Sequence, residues 1–198
     1  EVARRRDQLL EAAAEADDAV FEKYLGEEEI SDAELDACLH KGVRESILAP
    51  VLVTSAAKGI GLNALLDAIV RYLPSPEEEG PYAATDKSGK VVSVDAGSGQ
   101  LLVRVFKTAA DPFVGRLTYL RVLSGTLKGQ GGTFNATKGE DERIGQLLYL
   151  HGKEQEPAAE LRAGEIGAVA KLGVTETGDT LSSRELGLRL DAIVFPEP

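Results

Sequence analysis

Methionine and tryptophan are absent from this chain, and cysteine occurs once, as Cys38. A lone cysteine excludes an internal disulfide and agrees with a reducing compartment. With aromatics at 5%, a core has to be built from leucine, valine, isoleucine and alanine. No apolar run approaches the roughly 20 residues that cross a bilayer as a helix, and no signal-peptide pattern is visible, so a soluble, cytoplasmic protein with no membrane partner is expected. Phosphate-holding motifs are missing too: there is no G-x-x-x-x-G-K-[ST] loop, no aspartate at metal-ligand spacing and no Asn-Lys-x-Asp. His40 and His151 stand far apart and form no metal-ligand pattern, so no metal site is expected. A chain that starts at Glu1 and holds no methionine is expected to be a part of a larger protein.

The net charge of −11 is unevenly placed. Residues 1–80 hold 18 acidic and 8 basic side chains, whereas residues 81–198 hold 15 and 14. The first segment would be repelled by nucleic acid; a near-neutral second segment with a local basic face would not. The split places a domain boundary near residue 80.

Apolar residues recur every three or four positions from Leu9 to Leu25, which predicts a helix with Glu11, Glu15, Asp18 and Glu22 on its wet face. Gly26 is the expected stop. Ser31-Asp32-Ala33-Glu34 is a capping box opening a second helix, which carries Leu35, Cys38 and Leu39 and is expected to end at Lys41-Gly42. Unpaired cysteine between leucines reads as a small buried filler. Pro50-Val51-Leu52-Val53-Thr54 is a continuous apolar run of the kind found in a strand covered on both faces. The turn Ser55-Ala56-Ala57-Lys58 follows, then a strongly amphipathic helix from Leu62 to Leu73, stopped by Pro74-Ser75-Pro76. A strand, a polar turn and a helix form half of a nucleotide-binding layout, in which ligands sit at the carboxyl ends of strands. The amides of such a turn can read a base edge.

Past the stiff Pro74–Pro81 stretch the periodicity changes. Leu101 to Phe106, Arg116 to Leu123, Gly145 to Leu150 and Ile166 to Leu172 are β-prone runs separated by turn signals, spaced as in a small closed barrel. The run Gly125–Gly132 lacks a Lys-Ser/Thr pair opening a helix and reads as a β-turn, not as a phosphate loop.

Several blocks then carry a family resemblance. Phe106-Lys107-Thr108, Asp111-Pro112-Phe113-Val114-Gly115-Arg116-Leu117 and Arg121-Val122-Leu123-Ser124-Gly125-Thr126-Leu127 resemble the second domain of elongation factor G. Arg143-Ile144, Ala163-Gly164-Glu165-Ile166 and Thr177-Gly178-Asp179-Thr180 continue the pattern, and Phe195-Pro196-Glu197-Pro198 is similar to the start of that factor's third domain. Upstream, Asp18 to Tyr24, Glu29-Ile30-Ser31, Pro50-Val51-Leu52 and Tyr72-Leu73-Pro74-Ser75-Pro76 resemble the end of its GTPase domain.

The resemblance implies an α/β fragment, the end of a P-loop GTPase domain, followed by an all-β translation-factor barrel. The expected boundaries are 1–76 for the GTPase part, 77–90 for a linker, 91–190 for the barrel and 191–198 for the connection onward. It implies that Ser55, Ala56 and Lys58 close over a guanine base, with Ala57 where the motif varies. Arg104, Lys107, Arg116, Arg121, Lys128 and Arg143 become candidates for phosphate contact with small-subunit ribosomal RNA, a contact blind to sequence. GTP and Mg2+ are implied for the parent protein and none for this chain; the catalytic residues lie outside it, so the chain alone is expected to be an inactive monomer that binds no DNA. A ribosome-associated GTPase driving tRNA–mRNA translocation is the implied parent. Ser93–Gln100 and the acidic 151–163 depart from the pattern, which leaves the subfamily open: a translocase paralogue, a ribosomal-protection protein or a release-factor GTPase would share much of the architecture. A stand-alone β-barrel that binds RNA or protein is the alternative from another class.

Overall fold

The computed structural model describes residues 1–111 and 115–193. It divides into two units, Glu1–Pro74 and Ser75–Pro198.

The first unit holds helices α1 (Val2–Ala14), α2 (Asp18–Leu25), α3 (Asp32–Arg44) and α4 (Leu62–Tyr72). The single helix expected over Leu9–Leu25 is two. Asp17 leaves the helical region at φ −147°, and its carboxylate accepts from the Ala19 amide at 3.2 Å, capping α2. The same carboxylate pairs with Lys41 at 2.9 Å, which ties the break to α3. The capping box forms as expected: Ser31 Oγ accepts from the Glu34 amide at 3.3 Å, and Glu34 Oε2 accepts from the Ser31 amide at 2.9 Å. Helix α3 does not stop at Gly42 but runs on to Arg44. Gly42 serves packing instead, since a Cβ there would lie 2.6 Å from Leu48 Cδ1. Ala13, Leu35 and Cys38 form the small core, with Leu10, Val20 and Leu39 against it. Cys38 is the filler expected, and burial pushes its thiol pKa up.

The buried strand expected at Pro50–Thr54 is absent. The segment carries no regular secondary structure, and Val51 and Val53 are 90% and 93% exposed while Leu52 is 37% exposed. No described strand pairs with it, so the face that carries the two valines is bare.

The second unit contains strands β1 (Tyr82–Thr85), β2 (Val91–Val94), β3 (Leu102–Asp111), β4 (Gly115–Ser124), β5 (Thr126–Lys128), β6 (Gly132–Asn135), β7 (Glu140–Arg143), β8 (Leu147–His151), β9 (Glu154–Ala158), β10 (Glu160–Arg162), β11 (Ile166–Ala170) and β12 (Thr180–Ser182). The stretch expected as linker, 77–90, contains β1, which pairs antiparallel with β2. This hairpin packs Ala84 and Val94 against Leu102, Leu123, Leu188 and Leu190, so it belongs to the barrel unit. The run Gly125–Gly132 is not one turn, because β5 lies within it. Expectations placed on Pro112–Val114 and on Phe195–Pro198 fall outside the described residues.

The main sheet runs β7-β6-β12-β3-β4-β11-β8-β9, all antiparallel, with β5 and β10 as a separate ribbon. Val103, Val105, Leu120, Val122, Leu127, Ile144, Leu147, Leu161, Val169 and Leu181 converge from these strands on one core. Alternation explains the choice: on β3 and β4 the core residues Val103, Val105, Leu120 and Val122 all point to one face, leaving Arg104 and Arg121 on the other. An antiparallel ladder around one core agrees with the expected all-β barrel. Its ends, β7 and β9, are blunted by Glu140, Asp141, Glu154 and Glu156 and by Pro157, which cannot donate to a further strand.

A buried polar knot fastens the β7 end. Glu142 accepts from the amides of Gly173 (2.9 Å), Val174 (3.0 Å) and Thr175 (3.0 Å) and from Thr175 Oγ1 (2.7 Å). Beside it, Asn135 Nδ2 donates to Asp179 Oδ2 at 2.8 Å and to Thr175 Oγ1 at 3.1 Å.

Candidate functional site

Two candidate surfaces result, one in each unit. In the first, the chain reverses at Ser55, forms a single 3-10 turn over Ala56–Lys58 and returns at Ile60. Ser55 and Ile60 exchange backbone hydrogen bonds at 2.9 and 3.1 Å, and the Lys58 and Gly59 amides donate to Ser55 O and Ala56 O. Gly59 and Gly61 take φ of 68° and 74°, where glycine is favoured. At Gly61 a Cβ would also lie 2.8 Å from Val53 O. The amides of Ala56 and Ala57 donate to nothing among the described residues. The turn therefore presents two unused donors on an exposed loop. Lys58 is exposed beside them, with Ser55 half-buried at the base of the turn.

In the second unit the six basic candidates separate into two groups. Arg104 on β3 and Arg121 on β4 are direct cross-strand partners, and Ile166 on β11 continues the row beyond Arg121. Between Val105 and Lys107 the register slips: Val105 faces Leu120 and Lys107 faces Tyr119, which leaves Phe106 as the extra residue of a β-bulge. Alternation along β3 puts Phe106 on the same face as Arg104, 39% exposed, and the bulge shifts the phase of the residues that follow, so that Lys107 is exposed too. The Phe106 ring stands 6.3 Å from that of Tyr119, over which the Lys107 ammonium sits at 5.3 Å. Arg104, Arg121, Phe106, Leu123 and Ile166 line a depression of about 370 Å³.

The other three candidates stand apart. Arg116 is committed to the Thr175 carbonyl, to which its Nη2 donates at 2.6 Å. Lys128 is exposed on the β5–β10 ribbon, and Arg143 lies on the acidic edge strand β7. The arginines of the depression are charged groups in a partly dry setting. Burial pushes the Arg104 guanidinium below its usual pKa, against the field of Asp191, and its Nη1 donates to the Asp191 carbonyl at 2.7 Å. Arg121 Nε is buried without a partner among the described residues.

The strand order and the paired β3–β4 blocks converge with comparison against known proteins. Residues 100–184 match the family model of elongation factor G domain 2. The match lies wholly within the β unit. The crystal structure of a protein from Thermus thermophilus superposes with a TM-score of 0.71 at 32% sequence identity, over 91% of this chain. The chain spans 24% of that protein's length. The β unit is thus similar to elongation factor G domain 2 over residues 100–184, and the similarity to the Thermus structure extends into the helical unit.

Sequence reading named the two arginines of the depression but not their apolar surroundings. Phe106 was visible only as part of a family block; the bulge beside it, which no local pattern announces, is what brings Lys107 to the surface next to it. Among the described residues no group of His, Cys, Asp or Glu could hold a metal ion, and no helix is long and apolar enough to cross a membrane.

Proposed function

We propose that the chain is part of a ribosome-associated translational GTPase that promotes GTP-dependent tRNA–mRNA translocation. One observation carries the reading: an elongation factor G domain 2 at residues 100–184 follows, in the same chain, an exposed Ser-Ala-Ala-Lys turn with two unused amides. In this reading Ser55, Ala56 and Lys58 contact the guanine base, and the Arg104 face of the β unit meets small-subunit ribosomal RNA. GTP phosphates and Mg2+ are held elsewhere in the parent, where positioning and charge neutralisation drive phosphoryl transfer. The base turn alone gives little affinity, so the isolated chain neither hydrolyses GTP nor binds it tightly.

The test uses the full-length parent. GTP hydrolysis is measured with and without ribosomes, and movement of messenger is followed by toeprinting. Ribosome-stimulated hydrolysis with a shifted toeprint is expected. Stimulated hydrolysis without the shift identifies a paralogue of the protection or release-factor kind, and no stimulation refutes the assignment.

A further inference from the structure

The depression on the outer face of β3, β4 and β11 is more selective than a basic patch. Two guanidiniums stand directly opposite each other on neighbouring strands, an arrangement that costs stability in a sheet. No carboxylate forms an ion pair with either among the described residues. Asp191 offers its carbonyl and a nearby charge to Arg104, while the Glu165 carboxylate accepts from the Arg162 amide at 2.7 Å. Arg121 keeps a buried Nε with no partner. Beside this pair stands the Phe106 ring, with Ile166 55% exposed on the far wall.

We propose that this depression takes one unstacked nucleotide of single-stranded RNA, with its phosphate on Arg104 and Arg121 and its base against Phe106 and Ile166. Guanidinium pairs match the several acceptor oxygens of a phosphate, and a flat aromatic face stacks any base. A volume of about 370 Å³ admits one nucleotide and excludes the width of a duplex. A peptide strand is disfavoured because β3, β4 and β11 are interior strands of the ladder, with no free edge for augmentation. The inference rests on reading the β unit as an RNA-contacting module, and it narrows that contact from sequence-blind phosphate contact to one splayed nucleotide.

The test uses the 198-residue chain and two fluorescein-labelled probes, hexaadenylate and a short RNA hairpin duplex, read by anisotropy at low salt. Hexaadenylate is expected to bind more tightly than the duplex. Phe106→Leu and Arg121→Gln are each expected to weaken hexaadenylate binding roughly tenfold. Duplex binding should fall by less than hexaadenylate binding in both variants. Unchanged hexaadenylate affinity in Phe106→Leu, or equal losses on both probes, would overturn the proposal. So would displacement of hexaadenylate by a short peptide ending in phenylalanine with a free carboxylate, which assigns the depression to a protein partner. A measurement on the unaltered chain guards against misfolded variants: the Arg121 Nε–H resonance should move on hexaadenylate titration, and a static resonance refutes the site. Failure of ribosome-stimulated hydrolysis in the parent would leave these probe results unchanged, so the two readings fail separately.

Discussion

Removing the Glu142 carboxylate is the sharpest perturbation of the β unit. The side chain is 9% exposed and accepts four hydrogen bonds from residues 173–175, which join edge strand β7 to the connection between β11 and β12. Loss of one hydrogen bond to a charged group costs about 1.5–3 kcal/mol. Four bonds to one carboxylate are not additive, and water reaches the exposed Gly173 once the acid is gone. Glu142→Ala is therefore expected to destabilise the unit by about 2–3 kcal/mol, the upper part of the range for leaving buried donors unsatisfied. For a unit of this size the melting temperature falls by about 8–12 °C. Glu142→Gln keeps the shape but turns a donor toward donors, at about 2 kcal/mol. Burial raises the pKa of this carboxyl, but the amides of Gly173, Val174 and Thr175 and the Thr175 hydroxyl outweigh it, so the native value lies below the usual one. A depressed native pKa contributes stability that is complete above the unfolded value of about 4.3 and is lost as pH falls through the native value. Hydrogen exchange of the Val103, Leu120 and Leu181 amides reports this unit separately from the helices. A stability change below about 0.5 kcal/mol in Glu142→Ala, the level of an ordinary surface substitution, refutes the argument. An undiminished acid slope in Glu142→Gln does so as well.

Three further outcomes are expected. Gly61→Ala combines φ 74° with an approach of 2.8 Å to Val53 O, so it should disrupt the Ser55–Ile60 closure at a local cost of about 1–2 kcal/mol; faster exchange of the Ser55 and Ile60 amides is the readout. Gly167→Ala drives a methyl to within 2.4 Å of Leu161 Cδ1 and 2.9 Å of Leu148 O, and overpacking of about 1–3 kcal/mol should appear in urea unfolding with an unchanged m-value. Glu34 is held down to about 2 by the Lys23 ammonium, 2.5 Å away, and by the Ser31 amide and hydroxyl. Lys23→Ala should raise the midpoint of its carboxyl titration by NMR, and an unmoved midpoint would contradict the pairing.

Legibility in the sequence followed the range of the interaction. The capping box was readable because Ser31 and Glu34 complete it within one turn. The longer strands β3, β4, β8 and β11 were readable because aliphatic residues repeat along them. Strands β5, β10 and β12 were not: each has three residues, and pairing with distant partners is what defines them. Helix α3 passed Gly42 because the contact with Leu48 lies beyond the helix and leaves no periodic trace. In the site, charge and residue type identified Arg104 and Arg121, whereas their juxtaposition depends on the β3–β4 register. The apolar run at Pro50–Thr54 gives the clearest divergence, since its composition suits two covered faces and the described chain leaves the Val51 and Val53 face bare.

That run sets a practical limit on handling the protein. Val51 and Val53 stand in water, and helix α4 adds Val70 at 82% exposure and Leu66 at 59%. Wet aliphatic surface is relieved by any apolar body that arrives, including another molecule of the same chain. Clouding on concentration should thus begin at the helical end, and exchanging the two valines for threonine should clear it without touching the β unit.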